Sequence, residues 1–289
     1  MLIQQLFNGL MLGGLYALLA VGFSFLFGVL RLINFAYGSV FMLGAYVTTV
    51  LLAGARLPFI LAVPIGMAAA GVVGVIVERF SVAPLRKQKL PYWYGMITTF
   101  AMALIIENLA YRLFGTNYRP FPSPFEIRVY TLLGATVTNL QIATLVMALA
   151  LMGLLLAFTQ YTWLGRAFRA VAQDPSTASL MGVDVNSTVA LAFLVSGALA
   201  GAAGTLVARY RNIVAVNMGL GVGLKGFIAS ALGGVGSIAG AALGGFILGM
   251  VEAMSAAYIS SNVKDIVSFI VLILVLLWRP NGLLGRQAL

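Results

Sequence analysis

The sequence contains no cysteine and no histidine. Disulfides, thiolate chemistry, Cys/His metal sites and a histidine-based catalytic triad are therefore excluded. Charge is also scarce, because the 289 residues include only 17 Lys or Arg and 7 Asp or Glu, which is 8% of the chain. Soluble domains carry about 25% charged residues. This composition fits a soluble enzyme, a disordered chain or a nucleic-acid-binding protein poorly. The basic residues behind the net charge of +10 are expected to lie in the loops of a membrane protein.

Apolar residues make up 62% of the chain, and they come in long runs without any charge. The charge-free intervals are 1–30, 32–55, 57–77, 129–165, 185–208 and 226–251, and the shortest has 21 residues. A membrane-spanning helix needs about 20 largely apolar residues. The sequence therefore predicts an all-α, polytopic transmembrane helical bundle in a lipid bilayer, with residues 1–289 forming a single domain.

We predict about eight or nine membrane passages, including broken or half helices. The nine segments are 5–30, 35–53, 58–80, 92–114, 140–160, 187–208, 222–234, 238–258 and 264–279. The seventh is too short for a full crossing and is interrupted by Gly233, Gly234 and Gly236, so we expect a half helix or a broken helix there. Non-helical backbone at membrane depth is tolerated only where protein or a water-filled cavity covers it.

The orientation follows from basic residues near the ends of the spans. Placing 81–91, 161–186 and the C-terminus on one side gives nine basic residues there, including Lys89 and Arg286, against seven on the other. This small excess favours a cytoplasmic location for the first side, with the N-terminus outside.

Residues 161–186 form the longest hydrophilic connection between apolar runs. Asp174 is a good helix N-cap, Pro175 suits the first helical position, and Gly182 is a natural stop, so we predict a short helix of about seven residues. Its apolar residues are expected to be partly exposed to water unless something covers them: Ala178, Leu180, Met181 and Val183. The segment is either a connector packed against the bundle or a docking helix for a soluble partner, with Arg166 and Arg169 at its rim.

Four segments together resemble the permeases of bacterial branched-chain amino-acid ABC transporters. Residues 165–185, GRAFRAVAQDPSTASLMGVDV, are similar to the cytoplasmic coupling segment of that family. Residues 34–46 (NFAYGSVFMLGAY), 233–245 (GGVGSIAGAALGG) and 279–286 (RPNGLLGR) resemble its other motifs in the same order. The resemblance covers nearly the whole chain, and the length matches the shorter of the two permease types in these systems.

The resemblance implies a multi-pass subunit of a bacterial inner-membrane importer for branched-chain or other small amino acids. It also implies four kinds of neighbour: a homologous second permease, two cytoplasmic ATPases, an extracytoplasmic solute-binding protein and the lipid bilayer. The chain itself is expected to be non-catalytic and to need no cofactor, since it lacks the GxxxxGK[ST] phosphate loop. The expected ATPase-coupling residues are Gly165, Arg166, Arg169, Asp174, Pro175, Ala178, Leu180, Met181, Gly182, Val183 and Asp184. Family members commonly carry a carboxylate where this chain has Gln173.

Polar groups at membrane depth are candidates for the substrate pathway, because burying them without partners is costly. We predict Asn34, Tyr37, Gly38, Ser39, Thr98, Thr99, Glu107, Ser196, Gly234, Gly236, Ser237 and Glu252. Amide groups at broken helices suit a substrate carboxylate, and Glu107 or Glu252 suits its ammonium. Lys225 is a further candidate, unless its side chain reaches outward to the interface. The structural alternative is that Ser and Thr bond to their own helices, and that the glutamates lie near the outer interface or pair with an arginine such as Arg112.

Other functions remain open at this point. Similar permeases carry urea, short amides or aromatic acids. A self-sufficient secondary transporter or channel is the main alternative class, and it leaves segment 161–186 unexplained. An intramembrane enzyme would depend on paired carboxylates, and the seven acids show no spacing typical of one site.

Overall fold

The computed structural model describes residues 2–88, 90–91, 93–122, 128–132 and 134–285. Lys89 and Arg286, which contributed to the predicted orientation, lie outside the described residues.

Each of the nine predicted passages is a helix in the part of the chain that the structure describes. The helices are α1 (Leu2–Leu30), α2 (Tyr37–Ala53), α3 (Phe59–Val77), α4 (Ala83–Lys87), α5 (Trp93–Phe114), α6 (Asn139–Tyr161), α7 (Trp163–Gln173), α8 (Pro175–Leu180), α9 (Val185–Arg211), α10 (Met218–Gly233), α11 (Ile238–Tyr258) and α12 (Lys264–Trp278). A π-helical turn, Glu78–Val82, continues α3 into α4.

Among the described residues, six helical segments are long and apolar enough to cross a membrane: α1, Phe59–Lys87, α5, α6, α9 and α11. Three further apolar helices are shorter, since α2, α10 and α12 have 17, 16 and 15 residues. This confirms the all-α membrane bundle and the short seventh passage.

Contacts divide the chain into two units, which are described separately. Unit 1 comprises Met1–Ser24, Phe125–Gly153 and Lys225–Leu289, and unit 2 comprises Phe25–Pro124 and Leu154–Leu224.

In unit 2, helices α2, α3 and α9 pack closely because glycines lie where the backbones meet. A Cβ on Gly44 would lie 2.3 Å from Gly201 Cα, and one on Gly204 would lie 2.0 Å from the Phe41 carbonyl oxygen. The hydroxyls of Thr48 and Thr205 also join α2 to α9 by a hydrogen bond of 2.9 Å. Small residues at these crossings allow the close backbone approach that stabilises helix pairs in lipid.

In unit 1, glycines perform the same role between α1 and α11. A Cβ on Gly245 would lie 2.2 Å from Ala17 Cα, and one on Gly249 would lie 2.2 Å from the Gly13 nitrogen. Two short antiparallel strands, β2 (Val129–Leu132) and β3 (Ala135–Thr138), form a hairpin in this unit. A second strand pair in unit 2 joins β1 (Arg119–Pro120) to β4 (Ile213–Val214).

Helix α7 was not predicted, since the sequence indicated only a short helix in the 161–186 connection. Leu164, Phe168 and Val171 recur at helical spacing, and Phe168 and Val171 are buried. The Phe168 ring packs edge-on against Phe25 at 5.3 Å between centroids. The two arginines among these eleven residues suggested a polar loop, and the helix was missed for that reason. The apolar positions nevertheless follow the 3.6-residue period of an amphipathic helix.

Candidate coupling segment and substrate pathway

Helix α8 begins where the sequence predicted, at the Asp174-Pro175 pair. The Asp174 carboxylate accepts hydrogen bonds from the Ser176 amide at 3.0 Å and the Thr177 amide at 3.2 Å, and from both of their hydroxyls. These bonds, led by those from the Ser176 and Thr177 hydroxyls, hold the pKa of the Asp174 carboxyl well below its usual range. The cap therefore stays charged and fixes the start of a six-residue helix in an exposed position.

The end of α8 is also the predicted one. Gly182 has a φ of 85°, and its amide donates to the Ser179 carbonyl at 3.1 Å. The Val183 amide donates to the Ala178 carbonyl at 3.1 Å. This pair of bonds is the Schellman arrangement, in which a left-handed residue, usually glycine, closes a helix.

The apolar residues of α8 divide into an inner and an outer set. Leu180 and Met181 are 87% and 80% exposed, as predicted. Ala178 is only 4% exposed, so it is the member of this set that the rest of unit 2 covers. The surface open to a partner is therefore the tip of α8.

Asp184 caps the next helix and links the segment to a buried ion pair. Its carboxylate accepts from the amides of Asn186 at 3.0 Å and Ser187 at 3.3 Å, and the bonds from Ser187 lower the pKa of Asp184 most. The Asn186 side chain accepts from the Arg86 guanidinium at 2.9 Å, and the same guanidinium nitrogen lies 2.9 Å from Glu78. The beginning of α9 is thus tied to the Glu78–Lys87 region.

Helix α7 is fastened to the end of α6 by two of the predicted coupling residues. A Cβ on Gly165 would lie 2.2 Å from the Thr159 carbonyl oxygen, so this position has no room for a side chain. The Arg169 guanidinium donates to the same carbonyl oxygen. Arg166 and Arg169 are both exposed, and Arg166 remains available at the rim of the segment.

A cavity of about 490 Å³ lies beside this segment in unit 2. Leu32, Leu85 and Val171 form part of its apolar lining, and Gln173 and Pro175 form the wall on the α7–α8 side. A displacement of the α7–α8 connection would therefore change the shape of the cavity.

The first group of predicted pathway residues lies around the break between α1 and α2 in unit 2. The Asn34 side chain accepts from the amide two residues further along at 3.0 Å, and the Phe35 amide donates to the Thr99 hydroxyl at 3.3 Å. The Ser39 hydroxyl donates to the Ala103 carbonyl at 3.3 Å. These bonds attach the non-helical break to α5.

Tyr37, Gly38 and Glu107 lie near the start of α10 in the same unit. Tyr37 is buried, and a Cβ on Gly38 would lie 2.2 Å from the Gly219 carbonyl oxygen. The Glu107 carboxylate accepts a hydrogen bond from the Leu220 backbone. Its Oε1 atom is buried and accepts none from any residue that the structure describes.

The remaining polar residues of this group support the structural alternative in part. Thr98 and Thr99 both donate to the Gly95 carbonyl in their own helix, although Thr98 also donates to the Ser81 carbonyl at 3.2 Å. Ser196 is buried in α9. The alternative pairing of Glu107 with Arg112 is not found within the described ranges.

The second group lies at the glycine-rich break in unit 1. Gly234 and Gly236 have φ values of 115° and 88°, and the Ser237 hydroxyl caps α11 by accepting from the Gly240 amide at 3.1 Å. Ser24, which the sequence did not indicate, accepts from the Gly236 amide at 2.9 Å and donates to the Ser237 carbonyl at 3.3 Å. A small hydroxyl from α1 thus satisfies backbone groups that the break leaves without helical partners.

Glu252 belongs to a charged cluster in unit 1 that was not predicted as a whole. The Lys225 ammonium lies 2.7 Å from Glu252 Oε1 and 2.8 Å from Asp265 Oδ1, and it donates to the Tyr16 hydroxyl at 3.2 Å. The Lys264 ammonium is 3.5 Å from Glu252 Oε1. The Lys225 side chain is 15% exposed and is held by two carboxylates, and Glu252 pairs with lysines rather than with an arginine.

Long apolar helices, short broken helices and polar groups at the breaks define a multi-pass membrane protein of the transporter class.

Residues 5–276 match the family described as "Branched-chain amino acid transport system / permease component", and the chain belongs to that family. It is 37% identical to the high-affinity branched-chain amino acid transport system permease protein LivH of Escherichia coli K12, over 98% of this chain and 96% of LivH. It is 35% identical to the corresponding protein BraD of Pseudomonas aeruginosa, with the same coverage. A probable branched-chain amino acid transport permease protein, LivH of Methanocaldococcus jannaschii, is 32% identical over 94% of this chain and 89% of its own length. The chain is thus a multi-pass membrane permease and one component of a transport system.

Proposed function

We propose that this chain is the membrane-spanning permease subunit of an ATP-binding cassette importer for branched-chain or other small amino acids. The similarity to permeases of branched-chain amino acid transport systems over nearly the full length carries the proposal. Residues 1–289 form one permease domain in the bacterial inner membrane, and 161–186 is its cytoplasmic coupling loop.

The partners follow from the permease being one component of a larger system. We assign it a homologous second permease, two cytoplasmic ATPase subunits and an extracytoplasmic solute-binding protein. ATP hydrolysis takes place on the ATPases, and this chain transmits the resulting motion to the spans.

The tip of α8 is the proposed contact with the ATPase. Leu180 and Met181 present apolar surface, and Arg166 adds a charge at the rim, which suits insertion into a groove of a soluble partner. The other coupling residues hold this tip in place: Asp174, Pro175, Gly182, Val183 and Asp184 set the helix ends, Gly165 and Arg169 attach α7 to α6, and Ala178 packs inward.

The solute passes along the polar groups at the two breaks. The solute-contacting residues that we assign in unit 2 are Asn34, Tyr37, Gly38, Ser39, Thr98, Thr99, Glu107 and Ser196, and those that we assign in unit 1 are Gly234, Gly236, Ser237 and Glu252. Buried backbone amides and carboxylates at broken helices suit a ligand with one negative and one positive group.

The test is purification of the tagged full-length chain from its own membranes, followed by reconstitution in proteoliposomes. We expect an ATP-hydrolysing subunit to co-purify, and leucine uptake to require both ATP and a binding protein. Uptake driven by an ion gradient without any ATPase would show a secondary transporter or channel instead. Uptake of urea, a short amide or an aromatic acid in preference to leucine would overturn the substrate class alone.

A further inference from the structure

Four charged side chains in unit 1 form an alternating row. In order they are Asp265, Lys225, Glu252 and Lys264, with separations of 2.8, 2.7 and 3.5 Å between neighbouring charged atoms. Two positive and two negative charges balance within the row. Each inner member, Lys225 or Glu252, contacts two groups of opposite sign.

The inner and outer members differ in exposure. The side chains of Lys225 and Glu252 are 15% and 3% exposed, whereas those of Lys264 and Asp265 are 34% and 57% exposed. The Tyr16 ring and hydroxyl cover one side of the Lys225 ammonium. The row is therefore a buried ion pair with a more exposed ion at each end.

Both outer members come from consecutive positions at the start of α12. One short stretch of backbone thus carries an ammonium, which contacts Glu252, and a carboxylate, which contacts Lys225. An α-amino acid presents the same two groups on one carbon atom. Glu252 Oε2 is also buried without a hydrogen-bond donor among the described residues, so the inner pair has capacity for another cationic partner.

We propose that Lys225 and Glu252 form a binding site for the zwitterion of an α-amino acid, and that Lys264 and Asp265 occupy this site when it is empty. The arriving ammonium replaces that of Lys264 on Glu252, and the arriving carboxylate replaces that of Asp265 on Lys225. The proposal deepens the proposed function, on which it rests, because it names the site that receives the transported solute.

The exchange is electrostatically balanced, and this balance selects the ligand. The displaced side chains are the exposed ones, which regain hydration when they leave, and exposed ion pairs contribute little stability. A ligand with only one charge would replace only one outer member and would therefore make only one of the two ion-pair contacts. A zwitterion makes both contacts at once, so loss of either ligand charge is expected to weaken binding at least about tenfold.

Equilibrium binding of radiolabelled L-leucine to the purified full-length chain tests the site. Glu252→Gln keeps the shape of the side chain and removes its charge, and we expect affinity to fall at least about tenfold. Lys264→Gln and Asp265→Asn each remove a competing internal group, so we expect tighter binding than in the wild type. Lys87→Gln, which neutralises an exposed lysine in unit 2, is the matched control and should leave affinity unchanged.

A gain of affinity in the two outer variants separates the proposal from a purely structural ion cluster, since misfolding cannot produce it. If the cluster only stabilises the fold, those variants lower the melting temperature and leave leucine affinity unchanged or reduced. 4-Methylpentanoate lacks the amine of leucine and 3-methylbutylamine lacks the carboxylate. Competition by either as strong as that by leucine would overturn the zwitterion site.

The two proposals fail in different ways. ATP-dependent leucine uptake by the complete wild-type transporter, together with equal leucine binding by wild type and Glu252→Gln, overturns the site and leaves the proposed function intact. Leucine binding that depends on Glu252 in a chain that supports no ATP-dependent uptake supports the site and overturns the function.

Discussion

Replacement of Gly182 probes the coupling segment with little side effect on packing. The residue closes α8 with a φ of 85°, and a Cβ added there meets no atom within 4 Å. Substitution therefore adds backbone strain without a steric clash.

The expected strain can be estimated from the conformation alone. An L-residue in the left-handed region costs roughly 1–2 kcal/mol. Such a change shifts a local equilibrium by a factor of about 5 to 30. Since α8 has only six residues, this strain is enough to loosen the two hydrogen bonds that close it. Asparagine tolerates the left-handed region better than alanine, and a β-branched residue tolerates it worst, so the order of effect should be Asn, Ala, Val.

The assay is ATPase activity of the reconstituted transporter, stimulated by solute-loaded binding protein. We expect stimulation to fall progressively from the Asn to the Ala to the Val variant of Gly182, while the amount of chain in the membrane stays constant. Gly153→Ala is the matched control, because a Cβ at Gly153 also meets nothing within 4 Å and the backbone there is ordinary α-helix. Full stimulation in Gly182→Val, with normal membrane levels, would refute the assignment of α8 as the coupling helix.

Three further predictions concern packing, charge and pH. Gly204→Ala should lower the free energy of unfolding by about 1–3 kcal/mol, because the new Cβ would collide with the Phe41 carbonyl oxygen. The melting temperature in detergent should fall accordingly, and an unchanged value would contradict that contact. Glu78→Ala should lower the free energy of unfolding by roughly 1–3 kcal/mol, because it leaves the Arg86 guanidinium without its carboxylate. Adding Arg86→Met to this variant should recover part of that loss, which a double-mutant cycle measures. The pKa of the Asp174 carboxyl is lower in the folded chain than in the unfolded chain. The stability that the ionised carboxylate contributes is therefore fully present above the unfolded-state pKa, and it is lost only as pH falls through the lower folded-state pKa. Coupled ATPase activity of wild type and Asp174→Asn should therefore have the same pH profile between roughly pH 5 and 8, and a step present only in the wild type would contradict the assigned hydrogen bonds.

The order of the helices could be predicted from the sequence because each charge-free interval is about as long as a bilayer is thick. The short helix at 175–180 was predictable for a different reason: its start and stop depend on Asp174, Pro175 and Gly182, which act over only a few residues. Local signals of this kind remain visible without any knowledge of the tertiary structure.

Helix α7 and the charged row were harder to predict. In α7 the helical period was present in Leu164, Phe168 and Val171, but two arginines made the segment look like a loop. The row depends on how α10, α11 and the start of α12 pack, and no sequence spacing relates Lys225 to Glu252. Ser24 was missed for the same reason, since its partners are more than 200 residues away.

The most direct measurement of the central claim is site-specific photo-crosslinking from the tip of α8 in intact membranes. A photoreactive residue at Leu180 or Met181 should crosslink to an ATP-hydrolysing subunit, because both side chains project from the capped helix. The same group at Leu154, an exposed position within the membrane-spanning helix α6, serves as the control and should not. Crosslinks from Leu180 and Met181 only to lipid or to the chain itself would contradict the claim that this helix couples the permease to ATP hydrolysis.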